Sequence, residues 1–481
     1  MHDLIVIGDD ISSYAAASVA VKYGLDTVHI ARHNLEEMSI EGIYFNADPS
    51  VVTELGKGQS ASALLKELKI DAEDILFPQN EHYQVVLPDS RIDFFSNKDA
   101  LINDFAREFP SKNKDLLSFY KSAQKNADFF KKWLSDHPFF QISGFKQYFN
   151  YFKLFFNLFI FEIKRKKYRR TLLGNPALRK IFEAQLGLLS SDIEAFESFS
   201  SSYHFTTPLR GVYRLEKGKS SLTETLLEYF QNNGGKYLND CKLQSIRKPN
   251  FVNAEVIDDQ GVVSIITAEN LIISNKSEGL KVFYKKKKKI KTDKWLKRTK
   301  VTHYPLTLHF VILEKCLPEK MSSHVALVTD ISKDIYDDNL IILEINSPDK
   351  EKKSTLGKKL LTATVFLPAD DKNWRRANLL KTADSVIERV EYLLPFLKEN
   401  IKSYDVNKSI DLSMKYRTIT NAKYRVKKLF FSGFSAQKNK TSLKKVYLTG
   451  ASLFTDIGCW EGEIISGMYA VYSVLKDREK R

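Results

Sequence analysis

The stretch MHDLIVIGDDISSYAAASVAVKYGLDTVHIA, residues 1–31, changes pattern twice, and those changes decide the fold. Leu4 to Ile7 form an apolar run between Asp3 and Gly8, as expected of a parallel strand covered on both faces. From Ile11 the alanine-rich run ISSYAAASVAVKYG predicts a helix stopping at Gly24, and TVHIA predicts a second strand. This is a βαβ unit. In a dinucleotide-binding unit of this kind one glycine permits the tight turn, a second lets the backbone approach the pyrophosphate, and a third lets helix and strand pack closely. The helix N-terminus then meets the phosphates. Here GDDISS puts Gly8, Asp10 and Ser13 at the three places, and the acidic residue that would grip the ribose is Ala31, followed by Arg32. A carboxylate at Asp10 would crowd and repel a pyrophosphate, so a nucleotide site and a bare scaffold both remain open from these residues.

Working outward, SSLTETLLEYFQNNGG places Leu222, Leu226, Leu227 and Phe230 at helical spacing before a Gly-Gly stop. KYLNDCKLQSI then reads as one strand, and NAEVIDDQGVVSIITAENLIIS as a hairpin turning at Asp259 to Gly261 and running into a buried strand. A central sheet is thus assembled from distant pieces. Between them lie two segments of other composition: 81–204, rich in Phe, Tyr and Lys and mainly helical from Lys98, and 277–430, which opens on a lysine run and alternates apolar and polar residues in LTLHFVILE and DNLIILEINS. The expected organisation is a discontinuous nucleotide-binding domain of residues 1–80, 205–276 and 431–481, with a substrate or cap domain of 81–204 and 277–430. Two cores agree with a chain of 481 residues, since single cores stop growing beyond roughly 250–300.

The formal charge of +15 suits an anionic partner. Nucleic acid is not expected, because no DNA- or RNA-reading module accompanies the basic runs. Cys241, Cys316 and Cys459 are scattered without a CxxC pair, which argues against zinc and against a disulfide framework. With no signal-peptide pattern at the start, a reducing, cytoplasmic location is expected. The apolar stretch YFKLFFNLFIFEI at 151–163 is too short and too polar for a membrane span of about 20 residues.

The C-terminal segment KKVYLTGASLFTDIGCWEGEIISGMYAVYSVL, residues 444–475, reads as a strand, a turn at Gly450-Ala451, a loop, and a helix opening near Trp460-Glu461-Gly462. Together with DLIVIG, with EGIYFNADPSVVTELG (41–56) and with VYRLEKGKSSLTETL (212–226), it resembles the phytoene desaturase, carotenoid isomerase and retinol saturase group of the flavin-dependent amine oxidase superfamily. The resemblance spans most of the chain. It implies an α/β fold: a Rossmann-like, GR2-type FAD-binding domain interwoven with a mixed α+β domain facing substrate and membrane. It also implies FAD, with Gly8, Asp10, Ser12, Ser13 and Arg32 around the nucleotide half. Gly450, Ala451, Gly458, Trp460, Glu461 and Gly462 would surround the flavin half, and Leu243 would sit where the family's backbone reaches the adenine. The departures from the family pattern, at Asp10, Ser13, Ala31, Asp48 and Lys217, all fall on cofactor-facing places. No catalytic residue is assigned, because such chemistry resides in the flavin. His204, His303 and His309 read as structural or surface residues.

Two segments look toward a membrane. Phe145, Phe149, Phe152, Phe156, Phe159 and Ile163 form one helical stripe, followed by the basic run KRKKYRR at 164–170. A helix packed on the core reads the same way. The run KVFYKKKKKIKTDKWLKRTK at 281–300 carries eleven Lys or Arg against one Asp, and each basic residue near an anionic leaflet contributes about 1 kcal/mol. The first reading is a membrane-peripheral, FAD-dependent oxidoreductase for a long apolar substrate of carotenoid, polyene or isoprenoid type. The rival is a non-redox lipid-binding or escort protein, as in the flavin-free GDP-dissociation inhibitors of the same superfamily. A soluble amine oxidase ranks third, since it leaves the aromatic-basic segments without purpose.

Overall fold

The computed structural model describes residues 1–32, 39–40, 43–44, 51–53, 55–56, 59, 61–71, 82–136, 152, 156, 159–160, 163, 172–197, 201–213, 215, 219–247, 251–258, 260–274, 299–346, 357–417, 420, 422–427, 439–441, 443–454 and 457–479. The chain opens with β1 (His2–Ile7), α1 (Ile11–Lys22) and β2 (Thr27–Ile30). A hairpin of β3 (Tyr83–Leu87) and β4 (Ser90–Phe94) leads into α2 (Lys98–Glu108) and α3 (Asn113–Asp136), with α4 (Pro176–Leu189) beyond. After α5 (Lys219–Asn232) come β5 (Lys236–Leu238), β6 (Lys242–Arg247), β7 (Val252–Ile257) and β8 (Val263–Ser274). Next are β9 (Thr299–Leu313), β10 (His324–Val328), β11 (Leu340–Asn346) and β12 (Lys358–Pro368). Helix α6 (Arg376–Leu393), β13 (Ile401–Tyr404), α7 (Val406–Tyr416) and β14 (Lys423–Val426) precede the closing pair, β15 (Val446–Thr449) and α8 (Cys459–Arg478).

The first sheet runs β6-β7-β8-β1-β2-β5, with β15 also paired to β8. β1 lies between β8 and β2, parallel to both, and β15 runs parallel to β8. Side chains alternate across a strand, and both faces here are covered. Leu4 and Val6 join α1, α5 and α8, whereas Ile5 and Ile7 join Leu271, Leu448 and the α3 residues Ala127 and Phe130. A continuous apolar run is what such two-faced burial demands, at about 1.5–3 kcal/mol for each buried aliphatic side chain. The run KYLNDCKLQSI is not one strand. It divides into β5, which pairs with β2, and β6, which pairs with β7, because Asp240 turns the chain with φ 53°.

The second sheet runs β13-β9-β12-β11-β10-β3-β4, with β14 also on β9. Its faces are again divided by the two-residue period: Ile341, Leu343 and Ile345 pack with Leu379, Ala383 and Val386 of α6, while Leu340 and Ile342 pack with Phe105, Leu116 and Phe182 of α2, α3 and α4.

Helices α1 and α8 cross closely over the first sheet. A Cβ on Gly467 of α8 would overlap the carbonyl oxygen of Ser12 and lie 3.1 Å from the Ala15 Cβ, so the crossing depends on small residues on both helices. Phe152, Phe156, Phe159 and Ile163 are helical and 69, 58, 64 and 57% exposed, so this part of the stripe faces out rather than packing on the core. Phe145, Phe149, the basic run 164–170 and residues 281–298 lie outside the described residues, as do Asp48 and Lys217. Among the described residues no helix is long and apolar enough to cross a membrane.

Candidate functional site

The parallel strands β1, β8 and β15 end side by side, with Ile7 opposite Ile273 and Ser274 opposite Thr449. Gly8, Ser274 and Gly450 therefore lie at adjoining carboxyl ends of strands, the edge where open α/β sheets take their ligands. Gly8 has φ +154°, and a Cβ there would lie 2.6 Å from the Ser274 Cβ and overlap the Ser13 hydroxyl. Only glycine fits.

Asp10 is the N-cap of α1, in extended conformation (φ −91°, ψ 161°). Its Oδ1 accepts from the Ser12 hydroxyl at 2.6 Å, the Ser13 amide at 3.1 Å and the Ser13 hydroxyl at 2.9 Å. Its Oδ2 accepts from the Ser274 hydroxyl. Asp10 is only 4% exposed, and Ser12 and Ser13 are fully buried. The neighbouring Asp9 accepts the Arg32 backbone N–H at 2.5 Å, while the Arg32 side chain is exposed at the end of β2. Ala31 is buried, its N–H bonded to the Leu238 carbonyl.

Beneath the turn, His29 of β2 places Nε2 2.8 Å from the Gly8 carbonyl oxygen. Burial lowers its pKa to about 4, outweighing the opposite pull of the Gly8 carbonyl and Asp10. Tyr14 meets the imidazole edge-on at 4.7 Å, and the Tyr14 and Tyr237 hydroxyls are 2.9 Å apart. Burial, followed by Tyr237 and the two aspartates of the turn, raises the Tyr14 pKa well above its ordinary value.

At the C-terminal half, Gly450 has φ +125° and donates its N–H to the Ser466 hydroxyl at 2.8 Å. The Ser466 hydroxyl also lies 2.9 Å from that of Thr449, which fixes the strand end to α8. Ala451 is buried in the following 3-10 turn. Gly458, with φ +129°, caps α8, and a Cβ there would overlap the Glu461 carboxylate. A Cβ on Gly462 would lie 2.7 Å from the Phe454 carbonyl oxygen, so its missing side chain makes room for the chain itself. Trp460 is buried in the cluster that includes Val52, Leu55 and Ile464. Leu243 is half-buried on β6, opposite Val256.

The structure thus gathers Gly8, Asp10, Ser12 and Ser13 in one turn, with Gly450 and Ala451 at the end of β15, beyond the intervening β8. Sequence reading passed over Ser274, His29, Ser466 and Gly467. Two carried a weak signal, His29 as a polar residue inside a buried strand and Ser274 as the polar end of an apolar one.

No family model matches the chain, and no curated protein sequence matches it. Solved structures do. An oxidoreductase from Methanosarcina mazei is similar with TM-score 0.61 and 14% identity, over 98% of this chain and 100% of that one. Cyclohexylamine oxidase from Brevibacterium oxydans gives TM-score 0.56 at 11% identity, and a variant of putrescine oxidase gives 0.58 at 11%, each over 99% of both chains. The fold is that of these oxidoreductases, a mixed α/β architecture built around two large sheets. The lack of a side chain at Gly8 and Gly458 makes room for the chain itself, Ser13 and Ser274 at the first and Glu461 at the second, and does not by itself mark a place for FAD. The start of α1 does not fit its diphosphate as it stands, because Asp10 holds that place.

Proposed function

We propose that the protein is an FAD-dependent oxidoreductase that desaturates, saturates or isomerises a long apolar substrate of carotenoid, polyene or isoprenoid type at an anionic membrane surface. The observation that carries the flavin reading is the meeting of Gly8, Ser274 and Gly450 at adjoining ends of parallel strands. Gly8 and the start of α1 would face the diphosphate, Arg32 and Leu243 the adenosine, and Gly450, Ala451 and Gly458 the flavin. A bound flavin accepts or donates hydride, and the chain's part is to orient substrate and exclude water. Support for a lipid-dissolved substrate comes from the outward Phe152, Phe156, Phe159 and Ile163, followed in sequence by KRKKYRR. Such a face, with basic residues following it in sequence, suits the headgroup boundary of a cytoplasmic leaflet.

The self-filled turn at Asp10 favours a second reading, a non-redox lipid-binding or escort protein on the same scaffold. The two separate on one experiment: incubation with excess FAD, followed by a carotenoid or retinoid supplied in anionic vesicles. The oxidoreductase reading expects bound flavin that is bleached by a polyene it desaturates or, after reduction with dithionite, is reoxidised by a polyene it saturates. Absence of flavin binding with retention of the polyene supports the escort. Reduction by cyclohexylamine or putrescine, and not by the polyene, makes the substrate an amine.

A further inference from the structure

We propose that Asp10 is an intramolecular competitor for the diphosphate of the cofactor: the chain's own carboxylate holds the anion place at the start of α1, and a dinucleotide must displace it to bind there. The proposal rests on the reading of this turn as the FAD-facing loop. A helix begins with amides that have no carbonyl partner within the helix, and together with the helix dipole they attract an anion. In dinucleotide folds a phosphate takes that place. Here an amide and three hydroxyls converge on the two oxygens of Asp10, one from Ser12, two from Ser13 and one from Ser274.

The substitutions in the motif also depend on one another. Ser13, at the third glycine place, turns its hydroxyl both to Asp10 and into the volume beside Gly8. Ser274, 264 residues from Asp10 in sequence, closes the set from the next strand. Asp9 acts in parallel at the ribose end, where it accepts the Arg32 amide. Random decay would leave unmatched polar groups in a buried turn, each costing stability. The observed set is matched donor to acceptor. The protein therefore folds with its phosphate place already filled, and FAD binds in exchange for the Asp10 contacts rather than in addition to them.

The test compares the full chain with Asp10→Asn and Asp10→Gly, titrating FAD and, separately, riboflavin, which has no diphosphate. Flavin fluorescence reads binding, and melting without ligand reads the cap. Asn keeps a capping oxygen, so that variant stays informative if the glycine one folds poorly. The expected result is FAD affinity at least tenfold tighter in Asp10→Gly than in the parent, Asp10→Asn between them, and unchanged riboflavin affinity. Without ligand, Asp10→Gly should melt below the parent. Equal FAD affinity in all three proteins overturns the competition and leaves the flavin reading standing. A gain for riboflavin as large as for FAD also overturns it, since the effect would not lie at the diphosphate. No FAD binding by any of the three overturns the flavin reading and the competition with it.

Discussion

The imidazole Nε2 of His29 lies 2.8 Å from the carbonyl oxygen of Gly8, joining the second strand to the turn that follows the first. A carbonyl can only accept, so the proton sits on Nε2 and the ring serves as a neutral donor. The bond fixes the peptide whose φ of +154° starts the turn.

Replacing His29 with Phe keeps a flat ring against Tyr14 and removes the donor. The Gly8 carbonyl would then lose its side-chain partner in a buried setting, a loss of about 1–3 kcal/mol. Urea unfolding should show that decrease, and an unchanged midpoint would mean that the bond contributes nothing.

Acid should weaken the fold before any surface carboxylate titrates. Burial holds His29 at about 4 and both His204 and His309 at about 3, all below the ordinary histidine value. The unfolded chain therefore takes up protons first as pH falls through about 6.5, so this stability is complete above that value and is lost down to about 4 for His29 and about 3 for His204 and His309. At pH 5 each such histidine accounts for about 2 kcal/mol. Melting temperature should fall from pH 7.5 to 5, with a shallower slope in His309→Phe. Parallel curves for parent and variant would remove His309 from the explanation.

The α1–α8 crossing makes a sharp prediction at Gly467. Even Gly467→Ala puts a methyl group onto the Ser12 carbonyl, and overpacking of this kind costs about 1–3 kcal/mol. Gly462→Ala meets the Phe454 carbonyl in the same way and should also destabilise, with or without flavin. Chemical denaturation decides both, and wild-type stability in Gly467→Ala would show that the helices sit farther apart.

The aromatic stripe should matter to membranes and not to folding. A triple change of Phe152, Phe156 and Phe159 to Ser removes exposed rings and should leave the melting temperature nearly unchanged. Co-sedimentation with vesicles rich in anionic lipid should drop several-fold, as it should when Lys285 to Lys289 become Gln. If the parent protein stays in the supernatant with such vesicles, the membrane reading is wrong.

Sequence by itself determined the βαβ start, since the apolar run Leu4–Ile7 and the alanine-rich helix are local patterns set by burial on two faces and by helical spacing. The closing strand, turn and helix around Gly450 and Gly458 were legible for a similar reason: an apolar run broken by glycines, which most readily take the positive φ found at both places, is again a local pattern. The Ser12 and Ser13 contacts of Asp10 are local, an N-cap the sequence could carry, but tertiary structure alone decided the partner of its second oxygen. That partner, Ser274, arrives from a strand 264 residues away, and no local pattern announces it. The same holds for Asp240, whose left-handed turn divides one apparent strand between two partners, and for Gly467, whose need for a bare Cα exists only once α1 lies across it. Periodicity could not say whether the phenylalanine stripe packs inward or faces out, because a helical stripe records that one face differs from the other, and only the packing of the remaining chain settles which face is covered.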